Sequence, residues 1–130
     1  TKLGRGGLSD VEWTVQALQL QHAAEHESLR TPATLAALSA ARAAGLIDEP
    51  NADTLREAWL LATKVRNATM LVRGKPSDQI PLSGRELAAV ATICGYGELD
   101  DPGGEFLEHY RRSARHARAV VDRVFYGYPD

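Results

Sequence analysis

The chain has 130 residues, 44% of them apolar and 25% charged, which suits one compact domain with a core of its own. A formal net charge of −2 gives no whole-chain attraction to nucleic acid or to an anionic membrane, and no apolar run reaches the roughly twenty residues that span a bilayer. Cys94 is the single cysteine, so no internal disulfide forms and a reducing cytoplasm is the expected setting.

Aromatic residues make up only 6% of the chain and alanine is abundant, a balance that favours closely packed helices over a β-sandwich. Residues 1–8 read as a basic, glycine-rich lead-in loop, and the first helix is predicted from about Asp10 to Ala24. Ser9 stands where an N-cap belongs, with Glu12 three residues on in the pattern of a capping box, and Asp10 suits the helix N-terminus. Leu8 and Trp13 have the spacing of a hydrophobic staple. Gly4, Gly6 and Gly7 take positive φ at no steric cost, so their N–H groups are free to converge beside that N-terminus, where an anion is favoured. Lys2 and Arg5 add positive charge to the same place. A phosphate-binding loop and a plain loop before a well-capped helix both remain open on these residues. Val11, Val15 and Leu18 fall on one helical stripe and Trp13, Ala17 and Leu20 on a second, so burial over a wide arc is expected.

His22 and His26 are one turn apart with Glu25 between them. The glutamate that a metalloprotease carries beside its first histidine is absent and no third ligand follows, so no metal site is expected. Thr31-Pro32 reads as N-cap and first position of a second helix that Gly45 closes. A short acidic loop, 48–51, then leads to the longest helix, predicted over 52–73 and closed by Gly74. Its apolar stripe is broad enough for a central place in a bundle, and Arg66 and Arg73 beside that stripe are expected to reach a rim or a carboxylate. Pro76 and Pro81 mark 74–82 as a loop. Ser83 to Glu86 is a second capping box, opening a fourth helix that ends at Gly95, with Cys94 packed there as a small apolar group. An acidic, glycine-rich loop over 97–104 precedes the last helix, predicted over 105–125. That helix has an apolar face from Phe106 to Phe125 and gathers Arg111, Arg112, Arg115, His116, Arg118 and Arg123 on the other side. Such a face is usually solvated; phosphate, nucleic acid or an acidic protein partner is its functional reading, with little aromatic interleaving to favour single-stranded nucleic acid. No alternation is sustained enough for a strand and no internal repeat is visible. The fold class is all-α, one bundle of about five helices over 1–130.

The opening segment, Lys2-Leu-Gly-Arg-Gly-Gly-Leu-Ser-Asp-Val-Glu-Trp-Thr-Val-Gln16, resembles the signature of the bacterial glutamine synthetase adenylyltransferase family. The likeness continues more thinly through Thr31-Pro32, Ala44-Gly45-Leu46, the stretch from Leu82 to Ala88, and Gly95-Tyr96. It departs in the third helix, where relatives commonly carry a glutamate before asparagine or histidine and then leucine-glutamine; here Arg66-Asn67 and Leu71-Val72 stand there. The resemblance implies the C-terminal helical domain that follows a nucleotidyltransferase domain, in an enzyme that moves AMP from ATP to a tyrosine of glutamine synthetase. It further implies removal of that AMP by the enzyme's other half under PII-type signalling, with ATP and Mg2+ as cofactors of the parent enzyme. Related helical domains occur in the PII-uridylylating enzyme, which is the alternative, and a stand-alone interaction module using the basic last helix is a third reading.

In that superfamily paired aspartates hold two magnesium ions that stabilise charge on the attacking and leaving oxygens. This sequence has no Gly-Ser and no Asp-x-Asp, and Asp10 and Glu12 are two apart on a helix, where side chains do not face each other. The chain alone is therefore expected to be inactive. It opens on Thr1 inside a motif, so a piece of a longer polypeptide is expected, with Lys2 and Arg5 near the triphosphate or the seam with the catalytic domain.

Overall fold

The computed structural model describes residues 8–75, 79–81 and 84–126. Within them the chain forms five α-helices and no β-strand: α1 Leu8–His22, α2 Thr34–Ala43, α3 Glu49–Arg73, α4 Gly84–Ala91 and α5 Pro102–Val121. The all-α bundle inferred from composition and periodicity is what forms. A single 3-10 turn, Glu27–Leu29, joins α1 to α2, and π-type turns extend α4 over Thr92–Tyr96 and α5 over Asp122–Tyr126.

The two long helices α3 and α5 form the central pair. The N-terminal half of α3 (Ala52, Leu55, Ala58) packs with the C-terminal end of α5 (Ala117, Val120, Val121) in one apolar cluster. The later half of α3 (Ala62, Val65, Ala68) packs with the start of α5 (Phe106, Leu107, Tyr110) in another. The two helices are thus antiparallel. The first cluster is completed by α1 and α2, the second by Leu87, Val90 and Ala91 of α4 together with Ile80 and Cys94. Trp59 packs against both.

Local signals fix most of the helix ends. Asp48 is the N-cap of α3, its carboxylate accepting from the Asn51 N–H at 2.9 Å, with Pro50 in the first turn. The stretch 48–51 that reads as a loop is therefore the cap and opening turn of the helix, because an aspartate cap, an acidic first turn and an early proline all favour starting there. The same correction applies to α5. Asp101 caps it by accepting from the Gly104 N–H at 3.2 Å, and Pro102 begins it, so 102–104 belong to the helix. A methyl on Gly104 would come within 2.2 Å of an Asp101 carboxylate oxygen, so the capping carboxylate would have to shift to admit a side chain there. At α2 the helix starts at Thr34 after Ala33, two residues later than Thr31-Pro32 suggests. Thr31 instead accepts from the Ala33 N–H with its hydroxyl at 3.3 Å, a local turn that competes with capping. Gly45 does close α2. At φ +78° it lets its own N–H reach the Arg42 carbonyl while Leu46 N–H reaches Ala41, both at 3.0 Å, the paired bonds of a Schellman motif.

Two expectations for α1 change. The helix already includes Leu8, so exposed Ser9 lies inside its first turn and not at the cap. Its second stripe faces outward: Leu20 is 90% exposed, and Trp13 lies edge-on to Phe125 with ring centroids 5.0 Å apart. The inner face is deeper because Thr14 is fully buried, its hydroxyl donating to the Asp10 carbonyl at 2.8 Å. Thr69 does the same in α3 toward Val65 at 2.8 Å, so neither buried hydroxyl is left unsatisfied. Gln19 donates to the carbonyls of Leu29 and Thr31 at 2.7 and 2.8 Å, tying the α1–α2 connection to α1.

Candidate functional site

The arginines of the last helix divide into two sets. Arg115 reaches Glu108 at 3.4 Å, and Arg118 reaches both Asp122 at 3.4 Å and Asp10 of α1 at 3.5 Å. Arg123 donates to Asn51 at 2.9 Å. Arg118 and Arg123 thereby link this end of the chain to α1 and α3, while Arg115 pairs within its own helix. Arg111 and Arg112 are exposed and make no ion pair among the described residues. The basic face legible in the sequence is therefore about half structural. Asp10 serves twice, at the first turn of α1 and as the Arg118 partner, while Glu12 stays on the half-buried flank.

Arg112 opens onto a groove of about 380 Å³ between α3 and α5. His109, Arg112, Ser113 and His116 supply one wall; their spacing of three, four and seven residues places them on one helical stripe. Thr54, Glu57 and Leu61 supply the other wall with the same periodicity, and Leu60 flanks them. One permanent cation, two imidazoles and two hydroxyls thus face one carboxylate. A second, smaller recess of about 140 Å³ beside α2 has Arg42 and Arg56 against Glu49 and Asp53, so its charges compensate one another.

His109 is held from outside its own helix. The Tyr96 hydroxyl hydrogen-bonds to His109 Nδ1, and the Tyr96 ring lies between Phe106, with centroids 5.5 Å apart, and the His109 ring at 5.9 Å. Burial, then the nearby Cys94, push the Tyr96 pKa up, with Arg112 pulling the other way. The phenol accordingly keeps its proton at neutral pH, and its contact with Nδ1 fixes the orientation of the imidazole ring. Nothing in the sequence singles out His109; its signal is the i, i+3, i+7 spacing to Arg112 and His116, visible once α5 is known to be helical there.

The remaining expected sites fall as follows. Lys2, Gly4, Arg5, Gly6 and Gly7 lie outside the described residues, as do Pro76 and Ser83. Glu86, expected in a capping box, binds Arg73 at 2.8 Å, which gives Arg73 the carboxylate partner expected for it; Arg66 is exposed. Cys94 is buried, and that burial raises its thiol pKa against a smaller opposing pull from Lys64, the behaviour of a packed apolar group and not of a nucleophile. Among the described residues no group of three or more His, Cys, Asp or Glu side chains could hold a metal ion, and no helix is long and apolar enough to cross a membrane.

Residues 1–125 match the family model described as GlnD PII-uridylyltransferase. Curated relatives carry a different name, bifunctional glutamine synthetase adenylyltransferase/adenylyl-removing enzyme. The protein of that name from Nocardia farcinica is 61% identical over 125 residues, 96% of this chain and 12% of its own length. That from Streptomyces avermitilis is 61% identical over 129 residues, covering 98% and 12%, and that from Mycolicibacterium smegmatis 56% over 127 residues, with the same coverage. The chain thus spans about an eighth of the length of the curated relatives it matches, as a domain would. The chain belongs to the helical-domain family described as GlnD PII-uridylyltransferase, in the form carried by glutamine synthetase adenylyltransferases.

Proposed function

We propose that this chain is the C-terminal helical domain of an enzyme that adenylylates and deadenylylates glutamine synthetase in nitrogen control. The observation that carries this reading is the ungapped opening signature from Lys2 to Gln16, together with relatives of that name over nearly the whole chain. The domain lacks the paired aspartates of nucleotidyl transfer, so it supports AMP transfer by a preceding catalytic domain that supplies the ATP and Mg2+ chemistry. Lys2 and Arg5, with the glycines between and after them, sit at the seam to that domain or to the triphosphate. A PII-type protein signals to the intact enzyme in the cytoplasm, and glutamine synthetase meets its surface.

The test uses the full-length enzyme with labelled ATP and glutamine synthetase. Transfer of AMP to glutamine synthetase by the full-length protein, and none by the 130-residue chain, is the expected pair of results. Labelling of a PII protein from UTP in its place would transfer the chain to the uridylylating branch, the reading favoured by the family model's description. Arg5→Ala should weaken ATP affinity or turnover; unchanged kinetics would remove Arg5 from the site.

A further inference from the structure

The groove between α3 and α5 has a composition that packing alone does not require. A bundle seam buries apolar side chains, yet this one keeps Arg112 without a carboxylate partner among the described residues while Arg115 and Arg118, on the same helix, are both paired. Arg112 sits between His109 and His116 on the wall of a recess of about 380 Å³. That volume lies within the range of small-molecule sites, roughly 300–1,000 Å³, and exceeds what a bare inorganic anion needs.

We infer that the α3–α5 groove is a binding site for a small phosphate monoester, with Arg112 as the principal anchor and His109, His116 and Ser113 as further donors. The guanidinium offers a planar fork suited to two phosphate oxygens. The Tyr96 hydroxyl engages His109 Nδ1, so Nε2 is the ring nitrogen left for a ligand and Tyr96 is a positioning residue for the site. Ser113 contributes a hydroxyl, Thr54, whose own hydroxyl donates to the Pro50 carbonyl at 3.0 Å, contributes an acceptor, and Leu60 and Leu61 form an apolar wall for the body of the ligand. Glu57, on the opposite wall, repels a second anion but accepts from a hydroxyl or amino group. The favoured ligand is thus a monoester whose body carries such donors, of the size of a sugar phosphate or a nucleoside monophosphate. This site stands independently of the reading given under Proposed function, since none of its residues belongs to the opening signature.

The four histidines of the chain provide the readout, two in the groove and two, His22 and His26, outside it. Imidazole NMR signals are followed while the 130-residue chain is titrated separately with inorganic phosphate, glucose 6-phosphate and AMP. Saturable shifts confined to His109 and His116 are expected, strongest with one of the two esters, and the stronger ester names the body that the groove accepts. Arg112→Gln should weaken that binding at least about tenfold, the scale of a lost charge-assisted contact, whereas Arg115→Gln, whose partner is Glu108, should not. Tyr96→Phe should change the His109 nitrogen shifts and weaken ester binding while His116 still responds. Equal shifts at all four histidines, full binding by the folded Arg112→Gln chain, or response to inorganic phosphate alone would overturn the proposal. So would binding of an acidic peptide without binding of either ester, which would make the groove a protein-docking surface.

Discussion

The two halves of the core are built from different materials. The cluster around α1, α2 and the far end of α5 is wholly aliphatic in its buried members, with Ala37, Ala41, Ala52, Ala58 and Ala117 letting helices approach closely. The cluster around α4 holds the buried aromatics, Phe106 and Tyr110, and the buried thiol of Cys94. Among the described residues, every group whose ionisation is clearly displaced belongs to this second half or packs on it: Cys94, Tyr96 and Tyr110. The comparison teaches that one end of the bundle has a purely aliphatic core, while the other holds the groups that burial perturbs and is where Tyr96 reaches His109 in the groove.

The sharpest way to break that contrast is by truncation. Phe106 and Leu55 are both fully buried, one in each half. Phe106→Ala should cost about 3–5 kcal/mol and Leu55→Ala about 2–5 kcal/mol in urea unfolding. If the aliphatic half repacks around the lost leucine, its value falls at the lower end, and the reverse order would put the better-packed core around α2.

Alkaline pH separates the halves next. Burial pushes the Tyr110 pKa up to about 12, above its unfolded value near 10. The raised value means that the folded state holds the proton more tightly. Stability from this group is therefore complete below about pH 10 and lost as pH rises toward 12, on the order of 2 kcal/mol. Cys94 and Tyr96, also raised, add losses of the same sign. Tyr110→Phe should flatten the alkaline limb of a stability-versus-pH curve; a limb unchanged in that variant would show that Tyr110 is not its source.

The smallest effect is expected at the Arg118–Asp10 contact, which joins α5 to α1 at 3.5 Å with Arg118 partly exposed. A double-mutant cycle with Arg118→Gln and Asp10→Asn should give a coupling below about 1 kcal/mol that fades at high salt. A larger, salt-resistant value would move the basic face further from surface chemistry toward structure.

Much of this was legible from residue order, and the failures have physical causes. Five helices and the stops at Gly45 and Gly74 follow from periodicity and from glycines that adopt positive φ, whereas α4 ends at Ala91 and Gly95 breaks the π-type turn that follows it. The starts of α3 and α5 were hidden because Asp48 and Asp101 look like loop acids until their carboxylates are seen on Asn51 and Gly104. The outward turn of Leu20 was hidden because apolar composition does not say which stripe finds a partner. Of the groove, Arg112 and His116 stand out in the sequence as members of the basic face. The rest depends on α3 lying alongside α5, and on Tyr96 arriving from the turn after α4, both long-range facts that no local pattern carries.

The antiparallel pairing of α3 and α5 also governs how the molecule comes apart. At 25 residues α3 is about 37 Å long, and it contributes to both clusters, as does α5. Neither half of the core can melt without releasing a helix that the other half needs. The two clusters, unlike in composition, are thereby bound into a single thermodynamic unit that unfolds all at once.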